Sequence, residues 1–401
     1  MSAVTFDLAG DGETRSAVEP LRRARAIRPL LEAAAPRIEA ARELPEDVLA
    51  AMHEAGLFRT LLPRSVGGAE LEPADYVQVV EAIAMGDGST AWCVGQGSGC
   101  SFSAAYLDPA IAREVFGAHD AVLAWGYGPN GRAEVVPGGY RVTGQWMFAS
   151  GSRHASWLGG HSLVIEPDGR TRLNQDGMPA ERTMLFRREC ARIDDVWQVM
   201  GLRGTGSDSY AVKDLFIPEP YTLTRDIDAD RREPGTLYRF STNQLYSAGF
   251  AGVGLGLARA TLDAFIELAR EKTSSATKNV LRDSAVVQST IALCEARWRS
   301  ARSFLLQSLR EIWDDVAVTG APTLDQRMTV RLASTYAIQQ SKEIVDLCYQ
   351  EAGATAIFES HPFERRFRDL HAVTQQVQGH TVHFETVGQH LLGLPTNLRF
   401  I

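Results

Sequence analysis

The chain has 401 residues, 45% hydrophobic and 22% charged, with a formal net charge of −8. That balance fits a soluble globular protein of two or three core-forming units. An acidic total excludes a protein that tracks nucleic-acid phosphates, which needs a basic face. Five cysteines (Cys93, Cys100, Cys190, Cys294, Cys348) stand far apart with no CxxC pair, which fits free thiols in a reducing cytoplasm rather than disulfides or a zinc site. The first residues show no basic segment followed by an apolar core, so no signal peptide is expected. The most apolar glycine-rich run, AGFAGVGLGLA, is too short to span a bilayer, and no membrane partner is expected.

Residues 1–120 read as a helical domain. In PLRRARAIRPLLEA, Leu21, Ala24, Ile27, Leu31 and Ala34 recur three or four apart, which leaves the arginines on a solvated face. LPEDVLAAMHEAGLF has Pro45 and acids at its start and Gly56 at its stop. EPADYVQVVEAIAMGDG places Pro73 early and Tyr76, Val79, Val80 and Ile83 on one side. DPAIAREVFG offers Asp108 as N-cap, Pro109 at the first helical position and Gly117 at the end. Residues 121–230 change character. AEVVPGGYRVTGQWMFASG is two strand-like runs around Pro137-Gly138-Gly139, a hairpin signal. SWLGGHSLVI, RTMLFR, DVWQVMGL and SYAVKDLFIP follow as further short strands, suggesting a compact barrel or sandwich. Helical spacing returns over 231–401 in long amphipathic stretches that predict a four-helix bundle. The fold class expected is α+β.

Two glycine clusters, VGQGSG (94–99) and GVGLG (252–256), follow no predicted strand and miss the GxGxxG spacing, so they read as close helix–helix approach. His380, His383 and His390 lie near one another in sequence without an acid in the HExxH arrangement, so a packed helix face is expected and no metal. GSRHASW is not the GxSxG elbow of a serine hydrolase, and no phosphate-cradling GxxxxGKS/T loop occurs.

Five segments, taken in order, resemble the acyl-CoA dehydrogenase superfamily: LLPRSVGGAELEPADYVQVVEAIAMGDGSTAW (61–92), GGYRVTGQWMFASGSRHASW (138–157), VMGLRGTGSDSYAVKDLFIP (199–218), LRDSAVVQSTIALCEARWRSAR (281–302) and PFERRFRDLHA (362–372). The last holds the ERxxRD signature. The resemblance implies an N-terminal helical domain, a central β domain and a C-terminal four-helix bundle. Within the superfamily, WMFASG and GLRGTGSDSY are similar to the two-component flavin-dependent monooxygenases, which receive reduced flavin from a separate reductase.

A dehydrogenase of this superfamily removes a proton α to a thioester, normally with a Glu a few residues beyond ERxxRD. Here that stretch is Thr374-Gln375-Gln376-Val377, and a neutral amide does not take up a proton. The expectation is therefore a monooxygenase. It uses reduced FAD or FMN and O2, forms a C4a-hydroperoxyflavin and hydroxylates an aromatic small molecule. An indole-like ring suits the absence of a base, because its C3 needs no deprotonation.

The same resemblance assigns site residues. Ser150 supplies the hydroxyl beside flavin N5; Trp125, Trp146, Phe148 and Trp157 wall the flavin or substrate. Trp146, Ser150, Gly151 and Ser152 meet the isoalloxazine. Arg203, Thr205 and Ser207 line the flavin or its phosphate side, and Arg270 or Lys272 takes the adenine-side contacts across a dimer. Gln375 or Gln376 stands where related phenol hydroxylases carry His, with His371 or His380 as a substitute. Surplus apolar helix faces predict a homotetramer. The alternatives are an acyl-CoA dehydrogenase or oxidase with a displaced base, an amino-sugar N-oxygenase, and a flavin-less binding scaffold.

Overall fold

The computed structural model describes residues 19–225, 227–273 and 278–401. Five helices come first: α1 (Glu19–Ala41), α2 (Glu46–Glu54), α3 (Pro73–Ala84), α4 (Gly88–Ser101) and α5 (Pro109–Phe116). In α1 the predicted stripe is the buried one, with Leu21, Ala24, Leu31 and Ala34 inside. The predicted cap Asp108 acts as expected, and Asp87 is a second cap that the sequence reading did not name. Asp87 accepts from the Thr90 N–H at the head of α4, and Asp108 from the Ala110 N–H at the head of α5, satisfying amides that a helix start leaves without partners.

Eight strands follow: β1 (Leu123–Trp125), β2 (Gly131–Val136), β3 (Gly139–Ala149), β4 (Trp157–Ile165), β5 (Glu181–Arg187), β6 (Arg192–Asp194), β7 (Asp208–Pro218) and β8 (Thr222–Leu223). They form one mixed sheet in the order β6-β7-β3-β2-β4-β5-β8, with β1 parallel to β4. The predicted β2–β3 hairpin turns at Pro137-Gly138, where Gly138 has φ +82°. DVWQVMGL is not a strand. Pairing on that side ends at Asp194, and residues 195–202 run as an irregular loop.

Helices return as α6 (Thr242–Glu271), α7 (Ala285–Thr319), α8 (Leu324–Ala352), α9 (Phe363–Gln375) and α10 (Val382–Leu391). The apolar glycine-rich run is the middle of α6. That helix is long and apolar enough by composition to cross a membrane, yet 78% of its most apolar window is buried within the protein. The glycine clusters do mediate close approach. A Cβ at Gly99 of α4 would lie 2.4 Å from the Tyr246 ring of α6, and one at Gly256 of α6 would lie 2.3 Å from the Glu81 carbonyl oxygen of α3. As a result the N-terminal and C-terminal helices share one hydrophobic core, which contains Tyr76, Val80, Phe250, Leu257 and Ile338. The sheet keeps a smaller core of its own around Trp146, Tyr140, Phe186 and Tyr210.

Candidate active site

The site begins where β3 breaks its pattern. Its register with β7 shifts between Trp146 and Ala149, and Phe148 takes φ +60°. That conformation is costly for a bulky L-residue and marks a functional constraint more often than an accident. A bulge re-aims side chains, and here it separates three neighbours. Trp146 turns inward with 0% exposure, and its Nε1 donates to the His161 carbonyl oxygen at 2.8 Å. Gly144 and Gly160 lie so close to this indole that a Cβ on either would stand within 2.6–2.8 Å of it. Trp146 is thus a core residue of the sheet, and the expectation that it meets a flavin is corrected. Met147 and Phe148 turn outward. With Tyr127, Val196 and Met200 they are each more than half exposed. The Tyr127 and Met147 backbones are bridged, and Phe148 meets Trp197 edge-on at 6.2 Å and 86°, which sets Tyr127, Met147, Phe148 and Trp197 on adjoining segments as an apolar shelf.

Behind the shelf lies a chain of hydroxyls. Trp92 Nε1 donates to Ser150 Oγ at 3.0 Å; Ser150 and Ser207 are joined at 2.7 Å; Ser207 and Thr205 at 2.7 Å; and Thr205 Oγ1 donates to the Leu202 carbonyl oxygen at 2.8 Å. Ser150, Thr205 and Ser207 are all buried. Trp92, from α4, stacks on Phe250 of α6 with centroids 3.9 Å apart, and Phe250 stacks on Tyr246. The Tyr246 hydroxyl in turn accepts from Gln96 Nε2 at 3.2 Å. Gly151 and Ser152 build the turn rather than offer free donors: the Gly151 N–H is bonded to the Thr205 carbonyl and the Ser152 N–H to the Ala149 carbonyl.

The ERxxRD segment clamps this loop from below. Arg368 donates to the Met200 carbonyl at 2.6 Å and pairs with Glu39 at 2.5 Å and Glu364 at 2.7 Å. Asp369 accepts from the Leu202 N–H at 2.6 Å, and buried Arg366 donates to the Ala260 carbonyl. The Gly204 N–H is bonded to Ser89 Oγ. Leu202 is held at φ +51° by these contacts. Burial, reinforced by the charge of Asp87, pushes the Asp369 carboxyl up to about 7. Burial raises Asp87 as well.

The other expected residues are dispersed. Trp125 is buried, meets His161 edge-on at 5.0 Å and carries the Arg225 guanidinium 5.2 Å over its ring. Trp157 stacks on Tyr221, with the Arg187 guanidinium over its ring. The Arg203 side chain is 41% exposed and lies 3.7 Å from Glu39, outside the hydroxyl chain. Arg270 pairs with Glu267, and Lys272 donates to the Ala352 carbonyl. Arg270 lies twenty positions along α6 from Phe250, about 30 Å of helix, so within one chain neither cation reaches Ser150. Gln375 is exposed; Gln376 Oε1 accepts from the Gln378 N–H at 2.6 Å and closes the turn after α9. His371 bonds Asp346 of α8 at 2.8 Å and packs on Phe367. Two residues of helix are about 200°, so His371 faces away from the side on which Asp369 grips the loop. This corrects its expected place as a stand-in base. His380 accepts from the Val382 N–H, His383 bonds the Val377 carbonyl and His390 bonds Asp325.

Sequence reasoning missed Trp92, Phe250, Tyr246, Trp197 and the loop contact of Asp369. The one available signal was GDGSTAW, in which a capping Asp87 sets the rotation of α4 and thereby the direction of Trp92.

Comparison with known proteins identifies the family. The acyl-CoA dehydrogenase N-terminal domain family matches residues 23–110 and the C-terminal domain family residues 248–381. Indole-3-acetate monooxygenase of Pseudomonas putida is 31% identical over 353 residues, 88% of either chain. The flavin-dependent monooxygenase oxygenase subunit HsaA of Rhodococcus jostii (strain RHA1) is 29% identical and covers 88% of this chain and 92% of its own. The crystal structure of 3-HSA hydroxylase from Rhodococcus sp. RHA1 superposes with a TM-score of 0.87 at 27% identity, over 96% of this chain and 99% of that one. The chain belongs to the acyl-CoA dehydrogenase superfamily and, within it, to the flavin-dependent monooxygenases that act as oxygenase components of two-component systems.

Proposed function

We propose that the protein hydroxylates an indole-like aromatic acid, taking reduced FAD or FMN from a separate NAD(P)H-dependent reductase and oxygen from O2. The observation that carries this reading is Ser150: a buried hydroxyl, fully bonded behind, at the root of an outward-facing apolar shelf. Phe148, Met147 and Trp197 suit one face of a flat ring system, and Ser150 offers a hydrogen-bonding oxygen at its rim. Bound reduced flavin supplies the activation of O2, one atom of which enters the substrate ring while the other leaves as water. The stacked Trp92, Phe250 and Tyr246 rings keep water from the inner side of Ser150.

Neither carboxylate flanking residues 374–378 stands ready for the dehydrogenase alternative. Asp369 is buried and bonded to the Leu202 N–H, and Glu385 is exposed and bonded to Gln389. The stretch from Thr374 to Gln378 carries no ionisable side chain, which favours a substrate ring that is nucleophilic without losing a proton. Arg225 favours an acid. Among the described residues it has no carboxylate partner, and its guanidinium lies 5.2 Å over the Trp125 ring.

The test is turnover with an added flavin reductase, NADH and isotopically heavy O2, offered an indole carboxylic acid, neutral indole, phenols and an amino sugar. One heavy oxygen in the indole-acid product is expected. Arg225→Ala is expected to raise KM for the acid about tenfold, as loss of a charge-assisted contact does, and to leave neutral indole unchanged. Heavy oxygen found only in phenols or the amino sugar overturns the assignment. We also propose a homotetramer, supported by the exposed Leu391, Leu392 and Leu394 beside the bundle. Light scattering at the mass of one chain would count against it.

A further inference from the structure

The hydroxyl chain has a direction that the geometry dictates. Each Ser or Thr hydroxyl owns one hydrogen. Thr205 gives its hydrogen to the Leu202 oxygen, a carbonyl that can only accept. Ser207 must therefore be the donor to Thr205, and its hydrogen is spent. Ser150 must then be the donor to Ser207. On its other side Ser150 receives from the Trp92 indole N–H, which can only donate. Ser150 thus has no hydrogen left, and one lone pair remains for whatever lies in front of it. Reversing the chain would set the lone pairs of Thr205 and the Leu202 oxygen against each other at 2.8 Å. The anchor is rigid: the Leu202 oxygen also accepts from Trp197 Nε1 at 3.0 Å, and the Leu202 N–H is held by Asp369. All three hydroxyl residues are at most 6% exposed, so no bulk water is at hand to repair a reversed chain.

We propose that this one-way chain makes the site select reduced over oxidised flavin, with Ser207 and Thr205 as specificity-determining residues that act through Ser150. The inference rests on the reading that Ser150 meets flavin N5. Reduced flavin carries a hydrogen on N5 and bonds the free lone pair of Ser150. Oxidised flavin presents a lone pair at N5 and meets another. An oxygenase component fed by a separate reductase profits from this asymmetry, because it admits the reduced form and releases the oxidised one.

The test is anaerobic titration of the full chain with reduced and with oxidised flavin, reading the two dissociation constants and, from their ratio, the shift in potential. The wild type is expected to bind the reduced form at least about tenfold more tightly, the effect of one buried hydrogen bond gained rather than opposed. That preference raises the two-electron potential of the bound flavin by about 30 mV per tenfold. Ser207→Ala and Thr205→Val each free the hydrogen of Ser150 to turn forward. Each is expected to shrink the ratio about tenfold, chiefly by tightening oxidised flavin, while Thr205→Ser keeps it. Either variant alone carries the test if the other fails to fold by circular dichroism. If Ser150→Ala weakens reduced flavin but the ratio survives in Ser207→Ala and Thr205→Val, the selection mechanism is wrong and the Ser150 contact stands. If Ser150→Ala changes neither constant, Ser150 does not meet the flavin.

Discussion

The two ends of α9 are built on opposite plans. From its first turn to its midpoint, Arg366, Arg368 and Asp369 each hold a distant backbone group, and Arg368 adds two carboxylates. At its end, Gln375 is exposed with one long contact to its neighbour Thr374, and Gln376 merely closes a turn. The first end fixes the loop on which Thr205 and Ser207 sit. The second commits no charge and little bonding.

Breaking the clamp should give the largest effect. Arg368→Ala strands Glu364, leaves Glu39 only its longer contact with Arg203 and frees the Met200 carbonyl; a loss of about 3 kcal/mol is expected, read as a lower urea midpoint together with weaker binding of reduced flavin. Unchanged flavin affinity would separate the clamp from the site. A smaller, pH-dependent effect belongs to Asp369. Its carboxyl ordinarily titrates at 3.8 and is raised to about 7 in the fold, so the folded state holds a proton that the unfolded chain has lost. The stability it contributes is complete below about pH 4 and is lost as pH rises towards 7. Asp369→Asn cannot titrate and keeps an oxygen for the Leu202 N–H. Its melting temperature relative to wild type is expected to rise by a few degrees between about pH 5 and about pH 8; a constant difference would mean that the carboxyl does not titrate there.

The loose end should barely respond. Gln376→Ala removes a turn-closing acceptor and is expected to cost roughly 0.5–1 kcal/mol in thermal or urea unfolding. Gln375→Ala should stay within about 0.5 kcal/mol with a near-normal dissociation constant for reduced flavin. A large loss at Gln375 would erase the contrast between the two ends.

Much of this was legible in the residues. The α1 stripe, the Asp108 cap and the crowded glycines of α4 and α6 follow from periodicity and size, and the ERxxRD resemblance led to the right fold and branch. Trp146 was misplaced for a definite reason. Alternation along WMFAS puts Trp146 and Phe148 on one face, but the bulge between 146 and 149 sends one to the core and the other to the shelf. His371 was misplaced because the rotation of α9 is set by what Asp369 and Arg366 grip.

By itself the sequence determined which segments are helices and strands, where the small residues let helices touch, and that no carboxylate follows ERxxRD before Glu385. Those properties depend on neighbours in the chain. The tertiary structure alone decided that Trp92 meets Ser150 across 58 positions, that Ser150 meets Ser207 across 57, and that Asp369 meets Leu202 across 167. A hydroxyl can donate or accept with equal ease, so which it does is set by the partners that folding brings to it.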